Sequence, residues 1–187
     1  MNTTEHLNQT ENFRSATGLP LNASEYVFAS SAACTIEEFT ELADAMGDSI
    51  VTIAGIALQC TDQNIIDECI WKIENIRNAA KIVGIDIDAV MNKIYTANMS
   101  KLCNSIDEAV ETQTAYLLDG VNSYIEPVGE YFAVYSEFNQ TSISGKYFPS
   151  NKLLKNINWS EPDYFDIQEW FKDDHFVDIL TKNIVKG

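Results

Sequence analysis

Apolar residues recur at helical spacing through the first two thirds of the chain, and this pattern predicts four helices. Thr35 followed by Glu38 has the sequence of a capping box at the start of the second helix. Asp62 can cap the third helix, and Gly84 can end it. Short connections between helices favour an antiparallel four-helix bundle. The predicted helices span residues 22–33, 35–59, 65–83 and about 86–120.

Beyond Pro127 the pattern changes from helical periodicity to short aromatic runs. Residues 131–135 and 146–148 are rich in Tyr and Phe and flank a turn-forming stretch, so we expect them to pair as a β-hairpin. A short aromatic helix is predicted over residues 167–184. The chain is therefore expected to be mainly α, with an N-terminal segment, a four-helix bundle, and an appendage made of the hairpin and the last helix. The three parts span residues 1–21, 22–120 and 121–187.

Charge and composition narrow the classes of function. The formal net charge of −16 argues against binding to nucleic acid, because neutralising a phosphate backbone needs a basic surface. No apolar run approaches the roughly 20 residues needed to cross a bilayer, and no secretory signal is visible, so we expect a cytoplasmic protein without a membrane partner. The cysteines lack CxxC spacing and are expected to be buried free thiols. They are Cys34, Cys60, Cys69 and Cys103.

An acidic run lies inside the second predicted helix. Glu37, Glu41, Asp44 and Asp48 fall on one helix face over about three turns, and Glu38 lies beside them. No Lys or Arg interrupts residues 37–48, so these like charges repel one another. Oxygen ligands of this kind suit Mg²⁺, which substrate phosphates usually complete. The alternative interpretation is an ordinary solvated helix face.

Two further groups carry chemistry. Asp67 and Glu68 lie on the third predicted helix, and Glu68 could face the acidic run across an antiparallel helix pair. Asn98 and Lys101 are three residues apart, so an amide and a cation can point the same way. That combination suits a phosphate or a ribose.

Five motifs occur in a fixed order over about residues 10–165. They are Glu37-Glu38-x-x-Glu41, Glu68-Cys69-Ile70-Trp71, Gly84-Ile85-Asp86, Ala97-Asn98-Met99-Ser100-Lys101-Leu102, and Gly145-Lys146 with Trp159-Ser160-Glu161-Pro162-Asp163. This set resembles the MazG-like and phosphoribosyl-ATP pyrophosphohydrolase-like superfamily of all-α nucleoside triphosphate pyrophosphohydrolases, in its phage-type branch. Family members carry EExxE on one helix and ExxD on the next.

The resemblance implies hydrolysis of a (d)NTP to a (d)NMP and pyrophosphate with Mg²⁺ or Mn²⁺. It implies a homodimer or homotetramer and, for a phage-encoded chain, the host cytoplasm. Catalytic roles would fall to Glu38, Glu41 and Glu68. The implied metal ligands are Glu37, Glu38, Glu41, Asp44, Asp48, Asp67 and Glu68. The implied substrate-binding residues are Asn98, Lys101, Lys146 and Trp71.

One position departs from the family pattern, because Trp71 stands where the aspartate of ExxD is expected. A second alignment instead places ExxD at Glu41-x-x-Asp44, followed by Asp48, and makes residues 60–83 an insertion. Two other hypotheses stay open, and the departure at Trp71 motivates the first. One is a relative that binds or sequesters a nucleotide without turnover, and the other is a purely structural acidic bundle.

Overall fold

The computed structural model describes residues 3–18, 25–162, 171 and 174–184, and this part of the chain is mainly α, as predicted. The helices are α1 (Thr3–Thr17), α2 (Glu25–Gln59), α3 (Gln63–Ile82), α4 (Ile87–Met99), α5 (Ile106–Leu118) and α6 (His175–Ile184). The strands are β1 (Ser123–Val128), β2 (Tyr131–Ser136), β3 (Gln140–Thr141) and β4 (Tyr147–Phe148).

The chain divides into two compact units, whose bounds differ from those of the three predicted parts. Unit 1 comprises residues 1–87 and 167–187, and unit 2 comprises residues 88–166.

The longest element of unit 1 is α2, and it corrects the prediction of two helices in this region. The helix continues through Thr35, whose hydroxyl donates to the carbonyl of Ser31 at 2.8 Å from inside the helix. Because that bond is satisfied within the preceding turn, Thr35 does not cap anything. No proline interrupts Glu25–Gln59, so nothing in the sequence breaks the helix. The proposed caps Asn22 and Ser24 lie outside the described residues.

The predicted cap of α3 and its end at Gly84 are confirmed, although the helix spans Gln63–Ile82 and not residues 65–83. The Asp62 side chain accepts a hydrogen bond from the Asn64 backbone N–H at 2.9 Å, which satisfies a donor of the first turn. Gly84 follows the helix with a φ of 81°, a conformation that costs side-chain-bearing residues free energy.

Helix α6 packs against α2 through aromatic rings. The ring of Phe39 contacts Phe171 at 5.4 Å and Phe176 at 6.3 Å between centroids, both edge to face. Val177 and Leu180 of α6 are buried. The last predicted helix is therefore present from His175 onward, and residues 163–170, 172 and 173 lie outside the described part.

Unit 2 corrects the fourth predicted helix, which is two helices with a break at residues 100–105. The backbone of Cys103 pairs with that of Phe132 in both directions, at 2.8 and 2.9 Å. Ser105 then starts α5, because its hydroxyl accepts from the Glu108 N–H while the Glu108 carboxylate accepts from the Asn104 N–H. This reciprocal arrangement is a capping box one residue longer than usual. The break therefore follows from tertiary pairing, which helical periodicity does not register.

The β structure is also paired differently from the prediction. β2 pairs antiparallel with β1, from Ser123 opposite Ser136 to Val128 opposite Tyr131, while β4 pairs only with β3. The run 131–135 therefore belongs to an earlier hairpin, whose turn contains Gly129 at a φ of 62°. The buried core of unit 2 lies between α5 and these strands. It is formed by Cys103, Ala109, Val121, Val134, Phe148 and Leu154.

Two smaller expectations also change. The polar N-terminal segment contains α1, which the pattern did not predict because none of its residues is buried and no apolar stripe marks it. Cys69 and Cys103 are buried as expected, whereas Cys34 is exposed and Cys60 half-buried. Within the described part of the chain, no helix has the length and apolarity required to cross a membrane.

Gly84→Ala should destabilise the protein more than Gly129→Ala does. Both glycines have positive φ, so each alanine carries a backbone strain of about 1 kcal/mol. A Cβ at Gly84 would also collide with the carboxylate of Asp174, which caps α6, whereas a Cβ at Gly129 meets open space. We expect losses of about 2–4 and about 1 kcal/mol in the free energy of unfolding, measured in urea by circular dichroism. Equal losses would contradict the packing of Asp174 on Gly84.

Candidate functional site

The acidic stripe, meaning Glu37, Glu41, Asp44 and Asp48, lies on one unbroken helix. Glu37, Glu41 and Asp48 are exposed and Asp44 is half-buried, while Ala43 and Gly47 between them face the interior. Glu38 is exposed at the edge of the stripe. The predicted stripe is therefore a solvent-accessible row of carboxylates beside the packed face of α2.

Asp67 and Glu68 of α3 already have partners on their own helix. Glu68 Oε1 lies 3.1 Å from Lys72 Nζ, and both side chains are more than half exposed. Asp67 accepts a hydrogen bond from the Gln63 amide at 2.7 Å. Trp71, which stands at the expected aspartate position, is 55% exposed, with the Lys72 ammonium 5.0 Å from its ring centroid. Such exposed pairs are weak, so they would not prevent rearrangement around a ligand.

The carboxylates of α2 and α3 are suitable ligands for a divalent cation, but too few of those described lie together to form a complete metal site. Among the residues that the structure describes, no three Asp, Glu, His or Cys side chains come together as a metal-binding group. Glu38, Glu41 and Glu68 are thus not assembled as a three-carboxylate cage. Mg²⁺ needs only one or two carboxylates when substrate phosphates and waters supply its remaining ligands. The stripe on α2 can provide that smaller number.

The predicted pair Asn98 and Lys101 does come together. Lys101 Nζ donates to Asn98 Oδ1 at 2.5 Å, at the point where α4 ends and the chain turns through Ser100. Both side chains are half-buried. An ammonium and an amide therefore lie side by side, which is an arrangement that can bind a phosphate oxygen.

Lys101 belongs to a larger group that we name the lysine cluster, comprising Lys101, Lys146, Lys152 and Lys155. Lys146 lies near Lys155, because its ammonium is 5.5 Å from the Phe148 ring centroid, Phe148 contacts the Tyr116 ring, and the Tyr116 hydroxyl accepts from the Lys155 N–H at 3.1 Å. The charges of the cluster also affect the pKa of Lys155. Burial of its ammonium lowers this pKa most; the carboxylate of Glu161 opposes the effect, and the charges of Lys146, Lys101 and Lys152 lower the pKa further. The predicted residue Lys146 thus lies near the same group as Lys101.

A tryptophan lies under one of these lysines. The Lys155 ammonium is 3.1 Å from the centroid of the Trp159 ring, and the Trp159 indole N–H donates to the Ala97 carbonyl at 3.1 Å. A cation over an indole face is attracted by the ring quadrupole. The indole bond to Ala97 joins this site to the end of α4, close to Asn98 and Lys101.

The segment that carries Lys155 is fixed by a carboxylate from α5. Glu108 Oε1 accepts from the amides of Asn156 and Asn158, each at 2.8 Å, and Glu108 Oε2 accepts from the Asn104 N–H at 2.6 Å. The hydrogen bonds from Asn156, Asn158 and Asn104 lower the pKa of Glu108, in that order of effect.

Comparisons with known protein families, with characterised proteins and with solved structures give no match to this chain.

Sequence reasoning did not single out Lys152, Lys155 or the Trp159 ring as functional. The sequence did contain an indication of this basic segment, since residues 138–160 contain three Lys and no Asp or Glu in a chain with 28 acids. Spacing along the chain could not join this segment to Lys101, because the two are brought together by the strands and by the bonds of Glu108.

Glu108→Gln should lower the free energy of unfolding at neutral pH. It should also make this free energy depend less on pH in the acidic range. The pKa of Glu108 is depressed in the folded protein, so its contribution is present above the unfolded carboxyl pKa of about 4.3 and is lost as pH falls through the folded value. We expect a loss of about 1–2 kcal/mol at pH 7 and a smaller difference from wild type below about pH 4. Urea unfolding at several pH values measures both.

Glu111→Gln is the matched control for that substitution, because Glu111 lies on the same helix and is exposed. Its stability should follow the wild-type pH profile. An equal loss in both variants would show that the hydrogen bonds of Glu108 stabilise the protein no more than the exposed carboxylate of Glu111 does.

Proposed function

We propose that this chain is a nucleoside triphosphate pyrophosphohydrolase, which converts a (d)NTP and water to a (d)NMP and pyrophosphate. The ordered motifs and their resemblance to the all-α pyrophosphohydrolases support the reaction. The observation that carries the proposal is the contact of Lys101 with Asn98 within a cluster of lysines. In a protein with a net charge of −16, such a local concentration of cations favours an anionic ligand.

The same proposal includes the all-α bundle and the homodimer or homotetramer that the resemblance implies. Glu38 and Glu41 of α2 would hold Mg²⁺ or Mn²⁺ together with substrate phosphates, and Glu37, Asp44 and Asp48 are further carboxylates on that face. A bound divalent cation supplies charge neutralisation and an acidified water in this type of hydrolysis. Glu68 would join only after leaving Lys72.

Within unit 2, the resemblance assigns substrate contacts to Asn98 and Lys101. Lys101 neutralises a phosphate oxygen, and the Asn98 amide donates to a second phosphate oxygen or to the ribose. Their contact with each other places both donors before the ligand arrives, so little conformational entropy is lost on binding.

A second function, nucleotide binding without turnover, is favoured by the state of α3. Trp71 occupies the expected aspartate position, and the neighbouring Glu68 is paired with Lys72. A chain of this kind would bind or sequester a nucleotide and release no pyrophosphate.

The enzymatic proposal predicts pyrophosphate release from at least one nucleotide in a panel of NTPs and dNTPs with Mg²⁺ or Mn²⁺. Glu41→Gln should lower kcat about 100-fold, because it removes a carboxylate that both motif alignments share. Lys101→Met should raise KM about tenfold through the loss of a charge-assisted phosphate contact. Glu126→Gln, an exposed acid on β1, is the control and should leave both constants unchanged. No product from any nucleotide would overturn the proposal.

The binding alternative is tested by restoring the missing carboxylate. Trp71→Asp should raise Mn²⁺ affinity or pyrophosphate release about tenfold over Trp71→Asn, which has nearly the same shape without the charge. Calorimetric titration with Mn²⁺ and a pyrophosphate assay measure the two effects. Equal behaviour of the two variants would show that position 71 is not a ligand position.

A further inference from the structure

The lysine cluster carries four positive charges, and the ion pairs seen among the described residues lie elsewhere. Among the residues that the structure describes, none of its four ammonium groups lies within ion-pair distance of an acid, whereas Lys72 and Lys182 pair with Glu68 and Asp178 on their own helices. Glu161 acts on Lys155 only from a longer distance. The cluster therefore stores repulsion that an anion would relieve.

The cluster extends beyond the pair that holds one phosphate. Lys101 lies after α4, Lys146 lies in the turn before β4, and Lys152 and Lys155 lie on the segment that follows β4. The ammonium of Lys146 is 5.5 Å from the Phe148 ring centroid, which places it beside the core strand. Phe148 contacts Tyr116, which binds the Lys155 N–H, and the Trp159 ring under Lys155 bonds Ala97 beside the Asn98–Lys101 pair. Cations from three parts of unit 2 therefore lie near one another, and together they outnumber the charges of a single phosphate.

The backbone that presents these lysines is held in place on several sides. The Leu154 N–H donates to the Val134 carbonyl at 2.8 Å, and the Lys155 N–H donates to the Tyr116 hydroxyl at 3.1 Å. Asn156 is bound by Glu108 and also donates to the Leu102 carbonyl at 3.0 Å. The Lys155 side chain can therefore adjust while its Cα atom stays fixed, which is a preorganised arrangement for a ligand.

Lys155 differs from the other three because its ammonium rests on an aromatic face. A cation–π contact of this kind is worth about 0.5–2 kcal/mol, less than a desolvated bond between an ammonium and a phosphate. A phosphate nearby would draw Lys155 from the Trp159 ring. Lys155 would then bind the phosphate, and its departure would change the surroundings of the Trp159 indole.

We propose that the lysine cluster is a receptor for a polyphosphate chain, in which Lys146, Lys152 and Lys155 bind the phosphates beyond the one held by Asn98 and Lys101. The inference rests on the proposed function for the identity of the ligand, a nucleoside triphosphate whose two outer phosphates leave as pyrophosphate. Four ammonium groups match the roughly four negative charges of a triphosphate and exceed those of a monophosphate. A nucleic acid backbone matches them less well, because the rest of the chain is strongly acidic.

Calorimetric titration of the full chain, without divalent metal, tests the receptor with inorganic tripolyphosphate, pyrophosphate and phosphate as probes. Tripolyphosphate should bind at least about tenfold more tightly than phosphate, with pyrophosphate between them. The Trp emission should change on binding of tripolyphosphate. Similar affinities for tripolyphosphate and phosphate, or tighter binding of a single-stranded oligonucleotide, would overturn the inference.

Lys155→Met should weaken tripolyphosphate binding about tenfold and abolish most of the Trp response. Lys152→Met, at an exposed position, should weaken binding in the same direction and serves if Lys155→Met does not fold. Lys81→Met on α3 removes the same charge from the other unit and should leave the affinity within about twofold of wild type. Equal losses in all three variants would indicate a general charge effect and overturn the receptor.

The two proposals fail in different ways. Tripolyphosphate binding through Lys155 without release of pyrophosphate from any nucleotide would overturn the enzymatic proposal and support the receptor. Nucleotide turnover with an unchanged KM in Lys155→Met would support the enzyme and overturn the receptor.

Discussion

The carboxylate of Glu108 is the constraint on which the candidate ligand site of unit 2 depends. One of its oxygens closes the cap that starts α5, and the other binds the amides of Asn156 and Asn158. A single side chain thereby joins segments about 50 residues apart in sequence. Because ionised acceptors form stronger hydrogen bonds than neutral ones, this position favours a carboxylate over an amide. The geometry of Lys155 and Trp159 follows from it.

The lysines of unit 2 concentrate positive charge in a chain that is otherwise strongly acidic. The chain carries 28 acids against 12 Lys and Arg, yet four lysines of unit 2 gather where no described carboxylate pairs with them. Repulsion within the cluster costs free energy in the absence of a ligand. The net charge of −16 repels long polyanions, whose many phosphates extend past the cluster, more than it repels a short one. The arrangement thus supports the proposal of a small, highly charged ligand.

The sequence was sufficient for features that depend on local chemistry. The cap at Asp62, the end of α3 at Gly84 and the contact between Asn98 and Lys101 each involve residues within a few positions of one another. Features that depend on contacts between residues far apart in the sequence were not predicted. The break before α5 depends on the pairing of Cys103 with Phe132, and the lysine cluster depends on Glu108. Helical periodicity cannot reveal either, because their partners lie tens of residues away.

Because α2 is one continuous helix, the carboxylates used by the two motif alignments can be compared by their positions along it. One alignment of the motifs uses Glu38 and Glu41, and the other uses Glu41, Asp44 and Asp48. On an unbroken helix, the positions 41, 44 and 48 follow one another at three- and four-residue spacing, so they share a face, and residue 38 lies one turn before 41. Both alignments therefore place the ligands proposed for α2 on the same surface of that helix. Glu41 belongs to both sets, so the role of this carboxylate does not depend on the choice between them.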